Sequence, residues 1–394
     1  MRVVLSTYDS RGGVEPLLAL AVALRDAGAE ATVCAPPDCA DRAAEADVEL
    51  VPVGGSVREL VHAASPPGPD QVPRVADGLM AAQFEVLAEV ADGCDVIVTS
   101  GLAPVVAAAR SVAELVGARS EFVHWCPLWL RPHAMPGRPL PEDATDDEAR
   151  WKATTESYDA LFRDSLNRHR ASAGLTPVEH VRAVVFGDRP WLAADPFLAP
   201  SEEGDVDVVR TGAWILPDDR PLPAELEAFL DAGEPPVYVG YGSLRAPDDF
   251  ARVAVEAVRA QGRRTVLARG WAGLTSEDPD DCHVVGEVNH QALFRRVAAI
   301  VHHGGAGTTT TATRSGTPQV VVPQMADQPY WAGRAAALGV GVAHDGPVPT
   351  VESLSAALSK ALTEEMRGRA ATVAGTIRTD GAAEAARLLV DGNR

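Results

Sequence analysis

Short apolar runs alternate with longer stretches in which apolar residues return at helical spacing, and both halves of the chain repeat this alternation. Val3-Val4-Leu5 reads as a strand. A helix over 15–27 follows, with Pro16 in its first turn and Gly28 just past its end, the places where proline and glycine suit a helix. Further strands fall at 31–34 and 95–99, the latter reached through a helix ending near Gly93. A second unit of the same kind starts near Pro235, with strands at 237–240, 265–267, 284–285, 300–301 and 320–322 and a helix over 250–261. Strands alternating with helices predict parallel sheets with crossover helices on both faces. The expected fold class is α/β: two Rossmann-like, doubly wound parallel-sheet domains facing across a cleft, with ligands at the C-terminal ends of the strands.

The two halves also begin alike, each with a strand and then a Ser/Gly turn: Ser10-Arg11-Gly12-Gly13 and Gly242-Ser243-Leu244-Arg245. Residues 195–220 are rich in proline and acid and hold the expected linker. The pattern divides the chain into a first domain over 1–200, a linker over 201–222, a second domain over 223–378 and a closing helix within 379–394 that could pack back on the first domain. Two segments read as long loops, 65–73 and 127–147, and long loops in compact domains are usually functional or disordered.

Chemistry concentrates at the strand ends. His302-His303-Gly304-Gly305-Ala306-Gly307-Thr308-Thr309 follows an apolar strand and precedes an Ala/Thr-rich helical run. A glycine-rich turn feeding a helix N-terminus offers backbone N–H groups and the helix dipole to an anion such as a pyrophosphate. His303 could donate to a phosphate oxygen, with Gly305 and Gly307 in the cradle and Thr308 and Thr309 capping the helix and adding hydroxyls. His302 points to the opposite face of the strand and reads as structural. Ser243, in the turn after strand 237–240, could hold a second phosphate oxygen. After strand 320–322, Asp327 and Gln328 set a carboxylate beside a carboxamide, acceptors and donors suited to sugar hydroxyls; the plainer role for Asp327 is to cap the following helix. Arg11 is the main cation near the first turn and could reach a phosphate across the cleft. His124 and Trp125 end an apolar strand and Trp129 follows, so the three could line an aromatic acceptor pocket; Trp271 and Trp331 read as packing residues. Phosphate cradle followed by polyol clamp points to a nucleotide-sugar site.

Composition narrows the partners. Lys+Arg 35 against Asp+Glu 55 leaves a net charge of −20, which argues against nucleic acid or an anionic membrane as a partner. A phosphate ligand must therefore be held by a local pocket. No metal set is visible: there is no HExxH, no Asp-x-Asp pair falls at a strand end, and Asp248-Asp249 and Asp280-Asp281 read as loop acids. Arg11, His303, backbone N–H groups and a helix dipole would then balance the pyrophosphate. Cys34, Cys39, Cys94, Cys126 and Cys282 form no CxxC pair and suit free thiols in a reducing cytoplasm. The N-terminus lacks a signal pattern, and no apolar run reaches the roughly 18–20 residues of a membrane span. The oligomeric state is left open.

These residues resemble the actinobacterial glycosyltransferases of family 1 with the GT-B fold, and most nearly the enzymes that glycosylate vancomycin-type glycopeptide aglycones. The likeness runs almost end to end. It is densest in SRGGVEPLLALAVALRDAGAEATVCAPPDCADR, in DSLNRHRASAGLTPVEH, in WLAADPFLAP and TGAWILPDDRPL, and from Pro236 onward, where HHGGAGTT and PQMADQPY stand together. The resemblance implies an acceptor-binding first domain and a second domain that binds a UDP- or TDP-sugar. It implies that His303, Thr308, Ser243, Ser10 and Arg11 meet the diphosphate, that the Val288 backbone meets the nucleobase, and that Asp327 and Gln328 bind the donor sugar. It further implies inverting transfer, in which a deprotonated acceptor displaces the nucleotide diphosphate in one step.

One departure matters. The family turn reads Ser-Arg-Gly-Asp and its aspartate is the presumed general base, whereas this chain has Gly13. Three explanations compete: a substitute base, with Asp9, His124 and Glu15 nearest; an acceptor acidic enough to need little help; or a weak or inactive relative. Loss of general-base help costs about 10²–10⁴-fold, which need not abolish turnover. If the base is simply missing, Gly13→Asp should raise activity. The competing functions are a nucleotide-sugar 2-epimerase-like isomerase, against which the aromatic, proline-rich stretch 122–141 argues, and a nucleotide-sugar-binding helper, supported by Gly13 alone. An NAD oxidoreductase is disfavoured, because the first turn lacks GxGxxG and Val33 stands where an acid would bind the ribose.

Overall fold

The computed structural model describes residues 1–62, 68–202, 206–276 and 281–392. The chain divides into two compact units. Unit 1 holds Met1–Pro196, Pro200–Leu216 and Thr379–Arg394, and unit 2 holds Phe197–Ala199 and Pro217–Arg378. Where the sequence pattern puts one linker over 201–222, residues 197–199 already belong to unit 2. Arg334 fixes them there, donating from Nε to Leu198 O at 2.8 Å and from Nη2 to Phe197 O at 3.2 Å.

Unit 1 is built on seven strands: β1 (Arg2–Tyr8), β2 (Glu30–Ala35), β3 (Leu50–Pro52), β4 (Val96–Gly101), β5 (Arg119–His124), β6 (Trp191–Leu192) and β7 (Val209–Arg210). Their order is β3-β2-β1-β4-β5-β6-β7, and every pairing is parallel. Unit 2 has six: β8 (Val237–Gly240), β9 (Thr265–Ala268), β10 (Cys282–Val285), β11 (Ala299–His302), β12 (Gln319–Val321) and β13 (Gly341–Ala343). Their order is β10-β9-β8-β11-β12-β13, again all parallel. In both sheets the order reverses at the first strand, between β1 and β4 and between β8 and β11. Those switch points leave a crevice past the strand C-termini, where ligands of such sheets bind.

The helix after β1 spans Arg11–Asp26, beginning four residues before the expected start. Gly12 and Gly13 disfavour helix and hide its first turn in the sequence. Its face of Val14, Leu17, Leu18, Leu20, Ala21 and Leu24 packs on Val3 and Leu5 of β1, and the last helix, Gly381–Asp391, adds Ala382, Ala385, Ala386 and Leu389 to the same core. In unit 2 the amphipathic helix Phe250–Arg259 buries Phe250, Ala254, Val255, Ala257 and Val258 against β8 and β11. The expected loop 127–147 contains a short 3₁₀ turn at Pro127–Leu130 and a bridge between Met135 and Arg138. The start of loop 65–73 and Asp280 lie outside the described residues; the end of that loop forms the turn Pro69–Gln71 and enters the helix Val72–Val90. Among the described residues no helix is long and apolar enough to cross a membrane.

Candidate functional site

At the switch point of unit 2, two turns meet: Tyr241-Gly242-Ser243 past β8 and His303-Gly304-Gly305 past β11, the second opening the helix Ala306–Ser315. His303 is clamped between two bare Cα atoms. A Cβ on Gly242 would come 2.9 Å from its Cε1, and one on Gly305 would come 2.8 Å from its Nε2. Its Nδ1 is buried without a partner among the described residues. Burial pushes the imidazole down to about 4, so it is neutral near pH 7 and presents one N–H rather than a positive charge. This revises the expectation that His303 balances the pyrophosphate charge. Gly304 has φ +96°, and a Cβ there would strike Val321 Cγ1 at 2.8 Å, so only glycine fits the turn. Gly307 faces open space.

His302 is buried, as the other face of β11 requires. Its Nε2–H donates to Gln319 Oε1 at 2.9 Å and its Nδ1 accepts from Gly304 N at 3.1 Å. Among the described residues the hydroxyls of Ser243 and Thr308 have no partner. Thr309 corrects the expectation of a second capping hydroxyl: it is fully buried and its Oγ1 donates back to Gly305 O at 2.9 Å, the usual way a threonine inside a helix satisfies itself. The Val288 side chain lies in the core between β10 and the following helix, while its backbone N–H and C=O have no partner among the described residues.

Past β12, Gln328 closes a tight turn, its Oε1 accepting from Gln324 N at 2.8 Å and Met325 N at 3.2 Å. Ala326 within it has φ +57°, a strained value for a residue with a side chain. Asp327 stands at the N-cap of the helix Gln328–Ala337 but makes no capping bond; its Oδ2 accepts from Trp331 Nε1 at 2.8 Å. Burial raises its carboxyl, with the Trp331 bond acting the other way. Trp331 is thereby both a core residue and the holder of Asp327.

At the switch point of unit 1, Ser10 is the N-cap of the helix Arg11–Asp26, and its N–H donates to Asp9 Oδ1 at 2.6 Å. Arg11 donates from Nε to Glu15 Oε1 at 2.9 Å, and Arg42 shares that oxygen at 2.8 Å. Burial raises the Glu15 carboxyl, but the two guanidiniums outweigh it and hold it below its ordinary range. Arg11 is therefore ion-paired rather than solvated. The hydroxyls of Thr7 on β1 and Ser100 on β4, paired in register, are both fully buried and have no partners among the described residues. Their only trace in the sequence is a polar residue inside an apolar run.

The three residues expected to line an acceptor pocket do not stay together. His124 Nδ1 accepts from the backbone N–H of Trp125 at 3.0 Å and of Cys126 at 3.2 Å, and the Trp129 ring lies 6.1 Å away. Trp129 is flanked on its other side by His133 at 5.4 Å, whose Nε2 accepts from Tyr158. Trp125 turns the other way, edge-on to Trp214 at 5.4 Å against the core. Burial, then His133, lowers His124 to about 3. With Nδ1 already accepting, its proton sits on Nε2, and no lone pair is left to take another. Among the described residues no group of three or more His, Cys, Asp or Glu is placed to hold a metal ion.

Comparison with known proteins places the chain in a family. Residues 265–387 match the family model for the C-terminal domain of erythromycin biosynthesis protein CIII-like proteins. The vancomycin aglycone glucosyltransferase of Amycolatopsis orientalis is 54% identical over 396 residues, covering 99% of this chain and 97% of the relative. The dTDP-epi-vancosaminyltransferase of the same organism is 50% identical over 382 residues, covering 95% and 93%. Among solved structures, glycosyltransferase VinC in complex with DTDP superposes with a TM-score of 0.70 at 22% identity over 100% of this chain and 99% of that one, a likeness of fold.

Proposed function

The chain belongs to the glycosyltransferases of glycopeptide antibiotic biosynthesis, two-domain GT-B enzymes, and on that premise we propose that it moves a hexose from a UDP- or TDP-sugar to a phenolic or alcoholic hydroxyl of a glycopeptide or related aglycone, with inversion and without a metal. The observation that carries this reading is His303 in unit 2: a neutral imidazole whose Nδ1 has no partner among the described residues, held beside the N-terminus of the helix Ala306–Ser315. Hydroxyls of Ser243 and Thr308 and the N–H groups of that helix complete a set of donors, which suits a diphosphate better than a cation. Asp327 and Gln328 would take the sugar hydroxyls and the Val288 backbone the base. In the transfer step the acceptor oxygen attacks the anomeric carbon opposite the diphosphate, the bond from that carbon to the phosphate oxygen breaks, and its electron pair leaves with the nucleotide. The five buried thiols suit a reducing cytoplasm.

Thermal unfolding with UDP, TDP, GDP, ADP and NAD tests the donor site. A ligand at about 100 times its Kd stabilises the fold by about 2.7 kcal/mol. A rise with UDP or TDP that survives EDTA is expected, and no rise with either would remove the assignment. Turnover of UDP- or TDP-glucose with glycopeptide aglycones, read for the anomeric configuration of the product, separates transfer from the isomerase and helper readings.

A further inference from the structure

We propose that Asp9 is the general base of the transfer, its carboxylate standing in the room that Gly13 leaves; the inference rests on the glycosyl-transfer reading above. A Cβ on Gly13 would fall 2.6 Å from both Cβ and Cγ of Asp9, and closer still to Oδ2. Real side chains do not approach so closely, so the two positions cannot both carry a side chain in this arrangement. The volume in which a residue-13 side chain would begin is filled by a carboxylate that arrives from four residues earlier. It is held by its neighbour: Ser10 N–H donates to Asp9 Oδ1 at 2.6 Å, which turns Oδ2 toward Gly13.

Glu15, Asp38 and His124, the neighbouring acids and base, are each committed to partners of their own. Glu15 is bound by two guanidiniums, Arg11 and Arg42. Asp38 accepts from Ser56 Oγ at 2.8 Å and Val57 N at 2.7 Å, closing a different loop. The one basic nitrogen of His124 is taken by two backbone N–H groups. Asp9 lies past the C-terminal end of β1, at the switch point where the sheet opens to ligand. In the step assigned to it, the acceptor O–H proton passes to the Asp9 carboxylate as the acceptor oxygen bonds to the anomeric carbon. The nucleotide diphosphate leaves with the electron pair of the broken bond, so charge and protons balance without another reactant.

The test compares wild type with Asp9→Asn, Gly13→Ala and the exchange Asp9→Gly/Gly13→Asp. Turnover is measured with UDP- and TDP-glucose on glycopeptide aglycones, and the thermal shift with UDP and TDP is recorded for each protein. Slow donor hydrolysis, in which water is the acceptor, gives the same comparison without any aglycone. Asp9→Asn keeps the Ser10 hydrogen bond and the size of the side chain, and should lose kcat about 10²-fold or more while keeping the nucleotide shift. Gly13→Ala should lose activity too, by pushing the carboxylate aside, and the exchange should recover part of it. An Asp9→Asn enzyme within a few-fold of wild type, with its nucleotide shift intact, overturns the assignment. A wild type that binds neither nucleotide and cleaves no donor overturns the glycosyl-transfer reading itself, and the base with it.

Discussion

The side chain of Asp9 and the bare Cα of Gly13 divide one volume between them: a Cβ on residue 13 would stand 2.6 Å from Asp9 Cβ and Cγ. The absence of an aspartate at position 13 therefore leaves the turn with a carboxylate still in place. Helical rise brings residues 13 and 10 together, with Gly13 N donating to Ser10 O at 3.0 Å, and Asp9 folds over the first turn from the strand side.

Gly13→Asp alone then has a different expected outcome from the one the sequence suggests. The new side chain must evict Asp9, and two carboxylates would face each other. Overpacking of this kind costs about 1–3 kcal/mol. A lower melting temperature and no gain in kcat are expected, measured by thermal unfolding and steady-state turnover. A gain in kcat at unchanged stability would mean that Asp9 moves away freely and supplies no base.

Much of this architecture is legible from pattern. The central strands β1, β4, β8, β9 and β11 are apolar runs between helices, and parallel sheets buried on both faces are written that way. The edge strands β7 and β13, and β6 beside β7, are two or three residues long and carry no alternation to read. The glycine-rich turn at 303–307 is legible because strand, glycines and helix are contiguous. Its details are not: Thr309 bonding back to Gly305 and Asp327 held by Trp331 depend on side-chain rotamers. Trp125 and His124 are adjacent at a strand end, and the period of two turns neighbouring side chains to opposite faces, which separates them. Asp9 over Gly13 depends on the direction of one side chain across a strand–helix turn, which neither spacing nor composition encodes.

Gly307→Ala separates stability from binding. A Cβ at Gly307 meets nothing within 4 Å, and alanine is favoured over glycine in a helix by up to about 1 kcal/mol. The unliganded protein should melt higher. The same methyl group would crowd an anion at the helix N-terminus, so the thermal shift with UDP or TDP should shrink. A larger shift than wild type would place the diphosphate elsewhere.

Nucleotide binding should draw a proton onto His303. The buried imidazole sits at about 4, and a diphosphate against it favours the charged form and raises that value. At a pH of about 5, between the buried and the ordinary values, UDP or TDP binding is expected to take up part of a proton. Calorimetry in two buffers of different ionisation enthalpy measures the uptake. Uptake that persists in His303→Gln would assign the proton to another group.

Acid should weaken the fold earlier than its carboxylates alone require. Burial holds His302 and His124 at about 3 and His303 at about 4, against an ordinary 6.5. Below about 6.5 the unfolded chain binds protons at these imidazoles that the folded chain refuses, so stability is full above that value and is lost as pH falls toward 4. Each such histidine contributes a slope of up to about 1.4 kcal/mol per pH unit within its window. Urea unfolding midpoints from pH 7 down to 4.5 should fall steadily. His303→Gln removes one of the three imidazoles without adding charge, and its curve should be shallower by roughly one proton. If the wild-type and His303→Gln curves run parallel through this range, His303 titrates normally and the buried, neutral imidazole assigned to the donor site is wrong.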